Sequence, residues 1–324
     1  ERLRFAWRGD FFEFTLLRTL ADLYVEEGGH REALYALREA ASNFPDGPAG
    51  RNAAQRMREI FSDIYQGPGD PTVPPLRALA LYQEFSELTP GGPEGDRMIA
   101  ALADRLVEVD LLDRAAELLE GQVRYRLEGP EKARVGARLA LVHLLDRQPE
   151  AGLEALDASE VEGIPEDVAL QRRQLRARAY SDLGRSEEAL KLLAQDESLD
   201  AEHLRADIHW RQRQWPEAVT ALSKLIPLLP PRRPMEEDES QLVVNLAVAL
   251  MLSGQTVELD DLDRRYGAAM ARGPHADTFR LLVGDGEKVA VTSIADQLSK
   301  VGQAQSFMSN YRDRLRSGEL SQVN

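Results

Sequence analysis

The chain lacks cysteine, has few aromatic residues and contains no long apolar run. Without a thiol it can form no disulfide, no thiolate nucleophile and no cysteine-ligated metal site. No apolar run approaches the roughly 18 residues that a bilayer-spanning helix needs, so we expect no direct membrane insertion of this chain. A chain without thiols suits both a reducing cytoplasm and an oxidising periplasm, which leaves the compartment open.

Positive charge is also scarce, because 55 acidic residues stand against 40 basic ones and leave a net charge of −15. This balance disfavours nucleic acid and anionic membranes as partners. Arginine supplies 35 of the basic residues, which suits either a carboxylate-binding groove or the codon bias of a GC-rich bacterial genome; we favour the codon bias. Because the chain starts at Glu1 without methionine, we expect a piece of a longer bacterial protein.

Alanine, leucine and charged residues dominate instead, which favours helices packed through small and aliphatic side chains. The clearest example is the stretch 171–194, reading QRRQLRARAYSDLGRSEEALKLLA. Its apolar spacing predicts two amphipathic helices, Gln171 to Leu183 and Ser186 to Ala194, hinged at Gly184. A helical hairpin is therefore expected here.

This hairpin resembles a tetratricopeptide repeat, since small, aromatic, glycine and large apolar residues recur at that family's spacing: Ala177, Tyr180, Gly184, Ala189 and Leu193. An N-terminal hairpin carries Ala21, Tyr24, Gly28, Ala33, Leu37, Ala40 and Pro45 at the corresponding positions. Similar hairpins can be aligned on six alanines, namely Ala33, Ala78, Ala115, Ala151, Ala189 and Ala218. Their intervals of 45, 37, 36, 38 and 29 residues scatter around the family period of about 34.

The resemblance implies an all-α fold, a right-handed α-solenoid of hairpins with a helical C-terminal cap. We place about six hairpins in residues 1–230 and a proline-rich acidic loop in residues 231–240, within the segment PLLPPRRPMEEDES. A degenerate repeat and the cap fill residues 241–324, with helices expected at 241–253, 260–272, 275–283, 289–301 and 304–316. Turns are expected at Asp110, where glycine is usual, and before Pro149, which suits a first helical turn.

Catalytic and metal-binding templates are not matched. His203 and Asp207 share a helix face, but His209 points elsewhere, so only two metal ligands converge. No HExxH motif occurs, and the glycine clusters lack the lysine and serine or threonine of a phosphate loop. We therefore predict no catalytic residue, no metal and no cofactor.

In proteins that the chain resembles, the first helices of successive hairpins line a groove that binds a peptide. Carried onto this sequence, the groove is lined by Arg18, Asp22, Glu26, Asp104, Glu108, Gln171, Gln174, Arg178, Asp182, His203, Asp207, Trp210 and Arg211. Trp210 has an alternative role, packing between neighbouring hairpins. The family's clamp of lysine and asparagine residues is not recognisable.

The predicted function is a non-catalytic scaffold that binds another protein or peptide segment in this groove and assists the assembly or localisation of a larger complex. The alternatives are a helical-repeat shell of an enzyme or of a glycan- or small-molecule-processing module, and a self-assembling repeat protein. The expected compartment is the bacterial cytoplasm or periplasm.

Overall fold

The computed structural model describes residues 11–43, 47–65, 73–226, 229, 235–284 and 295. Regular structure in these residues is entirely helical, which confirms the all-α class; the superhelical arrangement stays a prediction. No helix among them is long and apolar enough to cross a membrane. The predicted helices at 289–301 and 304–316 lie outside the described residues.

The chain divides into two units, the first extending to Val142 and the second starting at His143. The helices that start in the first unit are α1 (Phe11–Glu26), α2 (His30–Asn43), α3 (Pro48–Tyr65), α4 (Pro75–Glu84), α5 (Pro93–Glu108), α6 (Leu112–Tyr125) and α7 (Gly129–Leu145), with a 3₁₀ turn at Ser86–Leu88. Helix α2 packs against both α1 and α3, and α5 packs against α6. Leu17, Leu37 and Phe61 are fully buried in this unit.

The second unit contains α8 (Pro149–Ala158), α9 (Glu166–Asp182), α10 (Ser186–Leu193), α11 (Leu199–Arg211), α12 (Trp215–Leu225), α13 (Glu237–Ser253), α14 (Thr256–Met270) and α15 (Ala276–Val283). Helix α13 packs against α12, α14 and α15. The run from Leu246 to Leu250 is buried at every position, because neighbours cover α13 on several sides.

Six of the helices that the structure describes end in the same type of turn. A residue with a left-handed backbone, φ between 57° and 78°, follows α1, α5, α7, α9, α11 and α13, at Gly28, Asp110, Arg147, Gly184, Arg213 and Gly254. At each, the next amide bonds to the carbonyl five residues back, as Arg185 N does to Tyr180 O at 2.8 Å. The left-handed residue's own amide bonds three residues back, as Gly184 N does to Ser181 O at 3.0 Å. These two bonds define the Schellman motif, which satisfies carbonyls at a helix end.

The predicted turn at Asp110 is confirmed, with φ of 61°, and Pro149 occupies the first turn of α8 as expected. The predicted position of Ala151 is wrong by one residue. Five residues after the left-handed turn residue, where the other hairpins place Ala115, Ala189 and Ala218, this hairpin has Gly152, which is buried while Ala151 is only half-buried. Adjacent small residues are indistinguishable by spacing, but a helix rotates them about 100° apart.

The predicted loop at 231–240 is shorter than expected, because α13 already begins at Glu237. The acidic run forms a capping box, in which the side chains of Glu236 and Glu239 each accept a hydrogen bond from the other's backbone amide. Carboxylates in a first turn also interact favourably with the helix dipole. Helix α14 likewise begins at Thr256 rather than at residue 260.

Candidate functional site

The candidate site lies between α9 and α11, the first helices of two consecutive hairpins, which contact each other directly. Residues four apart share a helix face, so Arg178 and Asp182 lie together on α9, and Asp207 and Arg211 lie together on α11. These four side chains form one network, which we call the α9–α11 charge cluster.

Arg178 is the centre of the cluster. Its Nε donates to Asp182 Oδ2 at 2.9 Å on its own helix, and its Nη1 donates to Asp207 Oδ2 at 3.2 Å on α11. Arg211 Nη1 closes the cluster from α11 by donating to Asp182 Oδ1 at 2.9 Å. Two arginines and two aspartates thus link the helices through both ends of the cluster.

Exposure rises from one side of the cluster to the other. The exposed fraction is 5% for the Arg178 side chain, 14% for Asp207, 23% for Asp182 and 30% for Arg211. Arg178 is therefore a buried support, while Asp182 and Arg211 can meet a partner. The arrangement holds charged groups at a surface in fixed positions.

Burial shifts the pKa of two groups on α11. Desolvation raises the pKa of Asp207 from its usual value to about 6, because it outweighs the attraction of Arg178 and Arg211. Desolvation also lowers the pKa of His203, against a weaker opposite effect of Asp200. His203 is therefore neutral at pH 7, one turn before Asp207 on the same helix.

Gln174, a buried residue of α9, also helps to hold α11 against α9. Its Nε2 donates to Asp196 Oδ2 at 2.8 Å and to Ser198 Oγ at 3.0 Å. Ser198 is the N-cap of α11, and its side chain accepts from Ala201 N at 3.3 Å. The Gln174 amide thus fixes the start of α11 against α9, and it contacts this chain rather than an open groove.

Trp210 also points into the protein. Only 5% of it is exposed, and its ring meets the Trp215 ring edge-on with centroids 5.3 Å apart. It belongs to the apolar core that joins α11, α12 and α13. The packing alternative therefore describes its position, and Trp210 offers no exposed surface to a partner.

The remaining predicted groove residues do not belong to the α9–α11 charge cluster. In the first unit, Asp22 of α1 pairs with Arg56 of α3 at 3.2 Å, and Asp104 of α5 pairs with Arg138 of α7. Three further predicted residues of that unit are exposed, namely Arg18 and Glu26 on α1 and Glu108 on α5. Gln171 and His203 are half-buried in the second unit.

The sequence analysis did not identify two buried arginines, Arg138 and Arg172. Arg138 is buried on α7 and donates to Ala100 O at 3.3 Å, and burial lowers its pKa to about 10. Arg172 is buried on α9 and donates to Leu156 O at 2.6 Å. Each arginine lies on the buried face of its helix, at a position where the helical period leads one to expect an apolar residue. That interruption of the apolar period is the signal that could have identified them.

Within the described ranges, no group of three or more histidine or acidic side chains could hold a metal ion. No known family model matches the chain, and no curated protein matches it. The tetratricopeptide resemblance therefore stays a prediction.

Proposed function

We propose that this chain is a non-catalytic protein-binding scaffold and that the α9–α11 charge cluster is part of the surface that binds a partner segment. The observation that carries the proposal is the graded exposure of the cluster, from buried Arg178 to partly exposed Asp182 and Arg211. Side chains already held in place lose little conformational entropy when a partner binds, so more of the contact energy appears as affinity.

Arginine and aspartate also give such a surface orientation. The Arg211 guanidinium has N–H donors beyond the one that binds Asp182, and these can donate to a carboxylate or to a backbone carbonyl of a partner. The repeated Schellman turns support the same proposal, because a recurring hairpin is the unit from which extended binding surfaces are built.

The test is an affinity pull-down from native extract with the parent chain and an Asp182→Asn/Arg211→Gln variant, which removes both charges and keeps both side chains polar. Arg178 remains paired with Asp207 in this variant, so the fold is expected to persist. The matched control is Asp261→Asn/Arg264→Gln, an exposed ion pair on α14 of the same unit.

A partner that the parent and the control retain, and that the folded variant loses, would support the proposal. Equal retention by all three proteins would contradict it and favour another surface. If nothing is retained by any of them, the enzyme-shell and self-assembly alternatives become the better hypotheses, and sedimentation across a concentration range would detect self-assembly.

A further inference from the structure

The α9–α11 charge cluster has a feature that a simple ionic surface lacks. Its charges cancel, with Arg178 and Arg211 opposed by Asp182 and Asp207, yet the two carboxylates are held differently. Asp182 accepts two hydrogen bonds of 2.9 Å, one from each arginine. Asp207 accepts a single longer one, at 3.2 Å from Arg178, in a less exposed position.

The single donor and the low exposure make Asp207 the carboxylate of interest. A carboxylate with few donors and little water is costly to keep ionised. Among the described residues, the charged groups that act on Asp207 are Arg178 and Asp182 from α9 and Arg211 from α11. His203, whose pKa is lowered by burial, lies one turn before Asp207 on α11. Burial raises the pKa of Asp207 to about 6.

We infer that Asp207 is a proton-sensitive regulator of the proposed binding face, and that its protonation gives the face a net positive charge that favours an acidic partner segment. Neutral Asp207 leaves Arg178 and Arg211 opposed by Asp182 alone, so the cluster changes from zero to one positive charge. Arg211, the most exposed member, then has less competition for a partner carboxylate. The inference rests on the proposed function and adds its regulation.

The raised pKa of Asp207 also determines whether folding stability rises or falls with pH. Because the folded chain holds the Asp207 proton more tightly than the unfolded chain, protonation stabilises the fold, and this contribution is lost as pH rises through about 6. Acid therefore removes the cost of keeping a poorly hydrated carboxylate ionised, while it charges the face. Asp207→Asn mimics the protonated side chain and should fold at pH 7.5 with a melting temperature no lower than that of the parent.

The experiment measures the affinity of a fluorescent hexa-aspartate peptide by anisotropy at low salt, at pH 5.0 and pH 7.5. We expect the parent to bind several-fold more tightly at pH 5.0 and Asp207→Asn to bind with similar affinity at both pH values. The control, Asp261→Asn, removes the same charge from an exposed position on α14 and should keep the parent's pH dependence. It also accounts for protonation of the peptide and of other histidines.

An Asp207→Asn protein with the same pH ratio as Asp261→Asn would overturn the inference, and so would absence of peptide binding at both pH values. Neither result decides the proposed function, which depends on the proteins lost by Asp182→Asn/Arg211→Gln in the pull-down. Conversely, pH-dependent peptide binding that Asp207→Asn removes, with no protein lost in the pull-down, would leave a proton-sensitive anion site without a scaffold role.

Discussion

The turn between α7 and α8 offers a direct test of the hairpin geometry through Arg147→Gly. Arg147 is exposed and adopts φ of 59°, a conformation that costs a residue with a Cβ about 1–2 kcal/mol. Glycine avoids that cost but loses about 0.5–1 kcal/mol more entropy on folding. The net expected gain is about 0.5–1 kcal/mol, or roughly 1–3 °C in melting temperature for a unit of this size, measured by calorimetry.

The control for this prediction is Arg147→Ala, which removes the same charge and the same long side chain but keeps the Cβ. It should give no comparable gain. The converse change, Gly184→Ala, should destabilise by about 1 kcal/mol through the backbone alone, since an added Cβ would have no atom within 4 Å. If Arg147→Gly is no more stable than Arg147→Ala, the left-handed turn does not limit stability, and the reasoning fails.

Three further substitutions test the packing. Gly95→Ala should cost about 2–3 kcal/mol in urea unfolding, because the new Cβ would lie 1.9 Å from Pro90 O; a neutral result would mean that α5 shifts freely. Asp104→Ala should cost about 3–5 kcal/mol, because it removes the carboxylate that pairs with the buried Arg138 guanidinium; a loss below 1 kcal/mol would show that water replaces this carboxylate. Trp210→Ala should cost about 3–5 kcal/mol by opening a cavity, whereas an unchanged midpoint would place Trp210 outside the core.

Much of the helical framework could be predicted from the sequence, because apolar residues at helical spacing and left-handed turn residues are both visible in one chain. The hairpin at Gly184 and the turn at Asp110 are examples. The predicted start of α13, at residue 241, was four residues late, because the prolines before it favour a loop and the capping box of Glu236 and Glu239 starts the helix at Glu237. Loop signals and helix-start signals overlap in such acidic segments, and the capping geometry separates them.

The candidate site was only partly predictable. The family resemblance listed Arg178, Asp182, Asp207 and Arg211 among the groove residues, and the structure places the first two on α9 and the last two on α11. The sequence does not reveal which charges pair across the two helices, because this depends on how the hairpins pack. The same limitation placed Gln174 and Trp210 in a groove, although both are buried within the second unit.

Three of the 35 arginines have a shared structural use, whatever the cause of the overall abundance. Three arginines, each on a different helix, donate to a carbonyl in the last turn of an earlier helix: Arg105 to Ile64 O, Arg172 to Leu156 O and Arg205 to Leu193 O. Carbonyls at a helix end have no partner within the helix, and a planar guanidinium can satisfy one while it bonds a second acceptor. Arg172 also donates to Ser159 Oγ at 2.9 Å, and Arg205 to Asp196 O at 2.5 Å. A lysine ammonium cannot match this forked geometry, so arginine at these positions follows from the way in which the hairpins are joined, whatever the genome's composition.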